Sequence, residues 1–211
     1  MRWLRLPFVA LITTSLALGA MAVRAAVFVV SQVGSVSPAS PMLEARADLV
    51  GGRGDDVTAS AELYDPKTGR FTETGSLHTA RYKHAAGLLP DGRVLIVGGS
   101  DDRDWHGALR SAEIYDPHTE RFTATSSLND SRFKLPKEAV ELASGQMVIS
   151  GGSQEVEVYD PKSGKFLVAS GRMNDAWHYM SETGLRDGRV LIAGGYPDSD
   201  RATAQTWIYR P

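Results

Sequence analysis

Short apolar runs recur along this chain, and each is closed by a pair of glycines. Val94-Leu95-Ile96-Val97 precedes Gly98-Gly99, Met147-Val148-Ile149-Ser150 precedes Gly151-Gly152, and Val190-Leu191-Ile192-Ala193 precedes Gly194-Gly195. Near-continuous apolar runs of this length, bounded by turn residues, read as strands covered on both faces. A further strand is predicted before each run, at His84 to Leu89, Glu138 to Ala143 and Ser181 to Arg186. Asp91-Gly92, Ser144-Gly145 and Asp187-Gly188 join the two, supplying the positive φ of a tight hairpin. After each glycine pair a third strand ends at Tyr64, Tyr115, Tyr159 or Tyr209. A fourth starts at Phe71, Phe122 or Phe166, seven residues after its tyrosine.

The unit is therefore four short antiparallel strands, a to d. Counting Gly51-Gly52, the glycine pairs recur at intervals of 43 to 53 residues. Strand repeats of that period make propeller blades. The glycine pair ends strand b, where a side chain would crowd the next blade or a positive φ is needed. In the c to d turn Tyr64-Asp65-Pro66, Gly69 takes the left-handed position, and Gly164 does so in the third unit. Glu120 stands there in the second, so that turn is expected to be strained by about 1 kcal/mol or to be of another type. Met42 and Arg46 match Leu77 and Arg81, Leu128 and Arg132, and Met173 and Trp177, each four apart. Only five residues separate Arg46 from Gly51, so the first unit lacks strand a and its hairpin. The last unit lacks strand d, and Val27 to Val33 is a β-rich run of strand-d character.

The paired glycines, the Tyr-Asp-Pro and the aromatic seven residues on resemble the kelch repeat, including the kelch-like propeller of galactose oxidase, over residues 42 to 211. The resemblance implies an all-β, kelch-type β-propeller with about four blade units, the first and last incomplete. Kelch propellers generally close with six or seven blades, so either Val27 to Val33 supplies the missing strand and closes a four-bladed ring, or, the expectation preferred because the first strand a is lost, the ring is incomplete, and open strand edges invite self-association. Copper radical oxidation as in galactose oxidase is excluded, because its cofactor needs a cysteine and this chain has none.

Composition narrows the partners. With 42% hydrophobic residues the chain is globular, and a net charge of -2 with interspersed signs favours neither nucleic acid nor an anionic membrane. Arg2 and Arg5, the apolar run Leu6 to Val23 and the small residues around Ala20-Met21-Ala22 or Val23-Arg24-Ala25 form a secretory signal pattern. The expected organisation is a signal peptide at 1–25, an N-terminal strand and Ser/Pro loop at 26–41, and repeats at 42–211. A secreted or periplasmic bacterial protein fits this pattern, and an uncleaved N-terminal anchor is the alternative.

The b to c segments vary in length while the rest of each unit does not, and variable loops on a fixed scaffold are where binding is usually placed. With the d to a loops they share one rim. Candidate ligand-binding residues there are Arg81, Tyr82, Asp102, Arg103, Trp105, His106, Arg132, Trp177, His178 and Tyr196, with Asp104, Phe133, Lys134 and Tyr179 beside them. Aromatic faces next to charged donors suit a protein surface or a glycan. No metal or cofactor is expected, since the Asp101 to Asp104 cluster lacks the spacing of a calcium loop. The enzymatic alternative is a sugar mutarotase or epimerase, with Arg81, Arg132, His178 or Glu182 as the acid/base group, and a third reading, from the missing strands, is a truncated propeller relative without independent function.

Overall fold

Thirteen short strands form among the described residues of the computed structural model, which are residue 42, residues 50–197 and residues 201–211. The expected signal segment, the run Val27 to Val33 and Arg46 lie outside the described residues. The first sheet pairs β1 (Glu62–Asp65) with β2 (Arg70–Glu73). The second orders β3 (Ala85–Leu88), β4 (Val94–Val97), β5 (Ala112–Asp116) and β6 (Arg121–Ala124). The third orders β7 (Val140–Glu141), β8 (Met147–Ile149), β9 (Glu157–Asp160) and β10 (Lys165–Val168). The last holds β11 (Ser181–Gly184), β12 (Val190–Ala193) and β13 (Thr206–Tyr209). Each sheet is an antiparallel meander, so these are blades, and the architecture is that of a partial kelch-type propeller.

The apolar runs sit where their pattern places them. All four residues of β4 are buried, because each face meets a neighbouring blade. Leu95, Val97 and Ile114 pack against Met147, Ile149 and Tyr159 of the third blade. Val94 and Ile96, on the opposite face, pack with Val50, Ala61 and Leu77 of the first. Covering a leucine such as Leu95 completely contributes about 1.5–3 kcal/mol, so each seam is a separate hydrophobic layer. The Tyr-Phe signature forms cross-strand ring pairs: Tyr64 with Phe71 at 5.0 Å, Tyr115 with Phe122 at 4.8 Å and Tyr159 with Phe166 at 4.8 Å. Two of the tyrosines also reach the preceding blade, Tyr115 Oη lying 2.6 Å from Thr74 Oγ1 and Tyr159 Oη 2.9 Å from Thr125 Oγ1.

Two details depart from simple repetition. The second c to d turn keeps the geometry of its neighbours, with Glu120 at φ 56° where Gly69 and Gly164 have 69° and 67°. Of the two outcomes expected for that turn, strain is the one found. Strand a of the third blade is cut to two residues, shorter than Glu138 to Ala143. Its register with β8 would bring Glu138 opposite Ser150, but Glu138 instead forms a parallel bridge to Ala86 of the second blade. The chain enters from Leu135-Pro136, and Ala139 N donates to Ala86 O at 2.9 Å. The Ser150 amide is thereby left without a strand partner.

Candidate functional site

Arg81 and Arg132 are wholly buried, and what they hold is the next blade. Arg81 Nη2 donates to Glu113 Oε1 at 2.9 Å, and Nη1 donates to the carbonyls of Gly98 and Ser111. Glu113 in turn accepts from the amides of His78 and Thr79. Burial works to raise the Glu113 carboxyl, but the His78 bonds and Arg81 outweigh it and hold it below the usual range. Arg132 repeats the arrangement one blade on, donating to Glu157 Oε1 at 2.7 Å, while Glu157 accepts from the Asn129 and Asp130 amides. Both glutamates lie two residues before the strand-c tyrosine. At the matching positions of the last seam stand Trp177 and Trp207, whose rings lie 5.7 Å apart. The ion pair has been exchanged for an aromatic pair at the same register. The expectation that Arg81, Arg132 and Trp177 face a ligand is therefore corrected: they are buried clasps between blades.

The residues next to the clasps do reach the rim. Main-chain bridges join two of the d to a loops to b to c loops, Tyr82 with Ser100 and His178 with Tyr196. The residues two after the clasp positions Arg81, Arg132 and Trp177, namely Lys83, Lys134 and Tyr179, have φ of 55°, 53° and 50°. Asp104 adds a fourth, at 52°. Apart from Glu120, all non-glycine residues of positive φ among those described lie on this rim, and strain of this kind gathers at functional surfaces.

A continuous band of rings and charges follows. The Arg53 guanidinium lies 5.4 Å from the centre of the Tyr82 ring. Tyr82 Oη donates to Asp104 Oδ1 at 2.8 Å, and Lys83 Nζ donates to the same oxygen at 2.7 Å. Burial and that bond push the Tyr82 hydroxyl up to about 12, so it remains a donor at neutral pH. Trp105 stands edge-on to Phe133 at 5.0 Å and to His178 at 5.4 Å, and Tyr196 lies 6.2 Å from His178. Lys134 Nζ sits 3.7 Å from the centre of the Trp105 ring.

Of the sequence candidates, Tyr82, Trp105, His178 and Tyr196 are brought into this band. Trp105 is 43% exposed and the most accessible ring of the band, while Tyr82 and His178 are buried. Asp102, Arg103 and His106 are exposed on or beside the 3-10 turn Asp104–Gly107 that carries Trp105. Arg103 is taken up by Asp101, Nη2 to Oδ2 at 2.6 Å. Asp101 and Asp104 therefore turn to different cations, and among the described residues no cluster of three or more His, Asp or Glu is placed to hold a metal. Lys83 was not singled out by sequence reasoning. Its one signal is register, since it occupies the position of Lys134.

Glu182 has a structural task. Its Oε1 accepts the Ser150 amide at 2.7 Å, filling the place that the displaced strand a left open. Burial raises its carboxyl to about 7, with the Ser150 bonds and Arg132 pulling the other way. A folded-state value above the unfolded one means that its contribution is full below pH 4.5 and is lost as pH rises through 7. Stability is expected to fall by on the order of 2 kcal/mol across that window, and Glu182→Gln to flatten the slope in thermal unfolding measured from pH 4 to 8. An equally steep slope in the variant would assign the effect elsewhere.

Residues 81–129 match the Kelch motif. Spermatocyte protein spe-26 of Caenorhabditis elegans is 30% identical over 138 residues, covering 61% of this chain and 23% of that protein. Kelch-like protein 34 of Homo sapiens is 33% identical over 84 residues, 39% of this chain and 13% of that protein. Kelch-like protein 26 of Homo sapiens is 26% identical over 173 residues, 74% of this chain and 28% of that protein. The matches thus span less than a third of each relative. All three relatives are animal proteins, and they support a kelch-repeat family for this chain.

Proposed function

We propose, from repeats of kelch type, that this chain is a protein-binding module whose partner docks on the rim formed by the b to c and d to a loops. One observation carries the reading: the unbroken band of aromatic and cationic side chains from Arg53 to Tyr196, on backbone held at positive φ by the blades beneath it. Trp105, exposed and braced by the buried rings of Phe133 and His178, offers a rigid contact with little side-chain entropy to lose, which is what interface hot spots are made of. Trp105 is the anchor, because it is the exposed ring at the centre of the band. The N-terminal signal pattern adds that the module works outside the cytoplasm, as a secreted or periplasmic protein.

A displayed peptide library selected on the purified protein tests the rim. Enriched peptides are expected to lose at least about 2 kcal/mol of affinity for Trp105→Ala, the hot-spot range, while that variant melts as the parent does. Peptides that bind both proteins equally would place the partner site elsewhere.

A further inference from the structure

Trp105 can serve as an anchor only if something holds it in place, because it stands on a four-residue 3-10 turn inside the longest of the b to c segments, Gly99 to Tyr115. A single helical turn is too short to hold itself. The tie is the residue before the ring. Asp104 Oδ1 accepts from Tyr82 Oη at 2.8 Å and from Lys83 Nζ at 2.7 Å, two donors on the d to a loop that enters the second blade. Ser100 Oγ donates to the Asp104 carbonyl, and Ser100 is itself wholly buried and locked to Tyr82 by a pair of main-chain bonds. Aspartate visits the left-handed region when its side chain bonds locally, yet at φ 52° the Asp104 carboxylate bonds residues 22 and 21 positions back. Burial works to raise its carboxyl, but the bonds from Lys83 and Tyr82 and the charges of Lys83 and Lys134 outweigh it and hold it below its ordinary value. Lys134 Nζ also lies 3.7 Å from the centre of the Trp105 ring, so one cation serves both the carboxylate and the ring next to it.

We propose that Asp104 is the positioning residue of the rim: its carboxylate pins the turn to the second blade, so that Trp105 meets a partner protein already in its bound pose. The proposal rests on the rim-binding reading above and names the residue that sets the affinity of that site. A free loop would have to order its tryptophan at each encounter, and that entropy would be lost from the affinity. With the turn tied down in the free protein, little of the ordering is left for binding. The tie runs through Tyr82, which is buried, so it acts on the ring from below and not by touching the partner.

Fluorine NMR of protein labelled with 5-fluorotryptophan reads the pose without any partner, the Trp105 resonance being the one that Trp105→Ala removes. Asp104→Gly cuts both ties and suits the positive φ, so it tests the tie apart from backbone strain. Its Trp105 resonance is expected to move and narrow while the other resonances stay and the melting temperature holds. A rim-selected peptide that depends on Trp105 is expected to bind Asp104→Gly about tenfold more weakly, the cost of ordering one such side chain and its loop. Added to Trp105→Ala, the same change is expected to cost no further affinity, because Asp104 acts through that ring. A loss that simply adds would make Asp104 a direct contact and overturn its positioning role, as would a Trp105 resonance that does not move. Should Asp104→Gly melt early, Tyr82→Phe removes one donor and leaves the backbone alone. It is expected to shift the same resonance in the same direction, and no shift would again overturn the tie. Peptides that need Trp105 but bind Asp104→Gly as tightly would overturn the positioning role alone, whereas selected peptides that ignore Trp105 would sink the rim reading and the proposal with it.

Discussion

Arg132→Ala is expected to destabilise the protein by about 3–5 kcal/mol, because it strands the Glu157 carboxylate in a place where neither residue has side-chain contact with water. The loss should appear as a lower denaturant midpoint. Glu157→Ala should cost a similar amount, since Arg132 would then be the uncompensated charge. The last seam shows what can replace the pair: Trp177 against Trp207 at the same register. Arg132→Trp combined with Glu157→Trp is therefore expected to recover more than half of what either single change to alanine loses. Replacing a buried ion pair by packed apolar groups is often close to neutral. Losses that simply add in the double variant would mean that the two positions do not act as one clasp.

Gly98→Ala should cost roughly 3 kcal/mol, from two sources that can be separated. The first is the left-handed conformation, φ 64°, at about 1–2 kcal/mol for any residue with a Cβ. The second is contact, since a Cβ there would lie 2.7 Å from the Arg132 carbonyl, backbone that also accepts the Gly99 amide at 3.0 Å and cannot retreat freely. Gly92 is the control. It has φ 87°, and a Cβ added there would meet nothing within 4 Å, so Gly92→Ala should show the conformational part alone. Equal losses at the two sites, measured by urea denaturation, would remove the close approach of the d to a loop as the reason for the paired glycines.

Blade order was legible because every blade repeats local chemistry: an apolar run, a glycine pair, a tyrosine and a phenylalanine at fixed spacing. β4 and β12 span the residues the pattern marks. The site was less legible, for a reason that Arg81 and Tyr82 illustrate. They are neighbours in one polar loop, and nothing local tells that one guanidinium turns down onto Glu113 while the adjacent hydroxyl turns up to Asp104. Those partners are 32 and 22 residues away. The clasp had a readable trace all the same, in a glutamate two residues before Tyr64, Tyr115 and Tyr159 that becomes Trp207 where the arginine becomes Trp177. The shortened β7 and the use of Glu182 in its place leave no such trace, because they follow from which neighbouring blade Glu138 meets.

The loop residues divide into clasps beneath the rim and a binding band upon it. Trp105 and Trp177 represent the two classes, and they are 43% and 6% exposed. The most direct measurement is to set thermal stability beside affinity for a rim-selected peptide in Trp105→Ala and Trp177→Ala. Trp105→Ala is expected to keep its melting temperature and lose the peptide, while Trp177→Ala loses about 3–5 kcal/mol of stability, the cost of a large core truncation. A Trp177→Ala protein that melts normally but no longer binds, beside a Trp105→Ala protein that binds as before, would contradict that division.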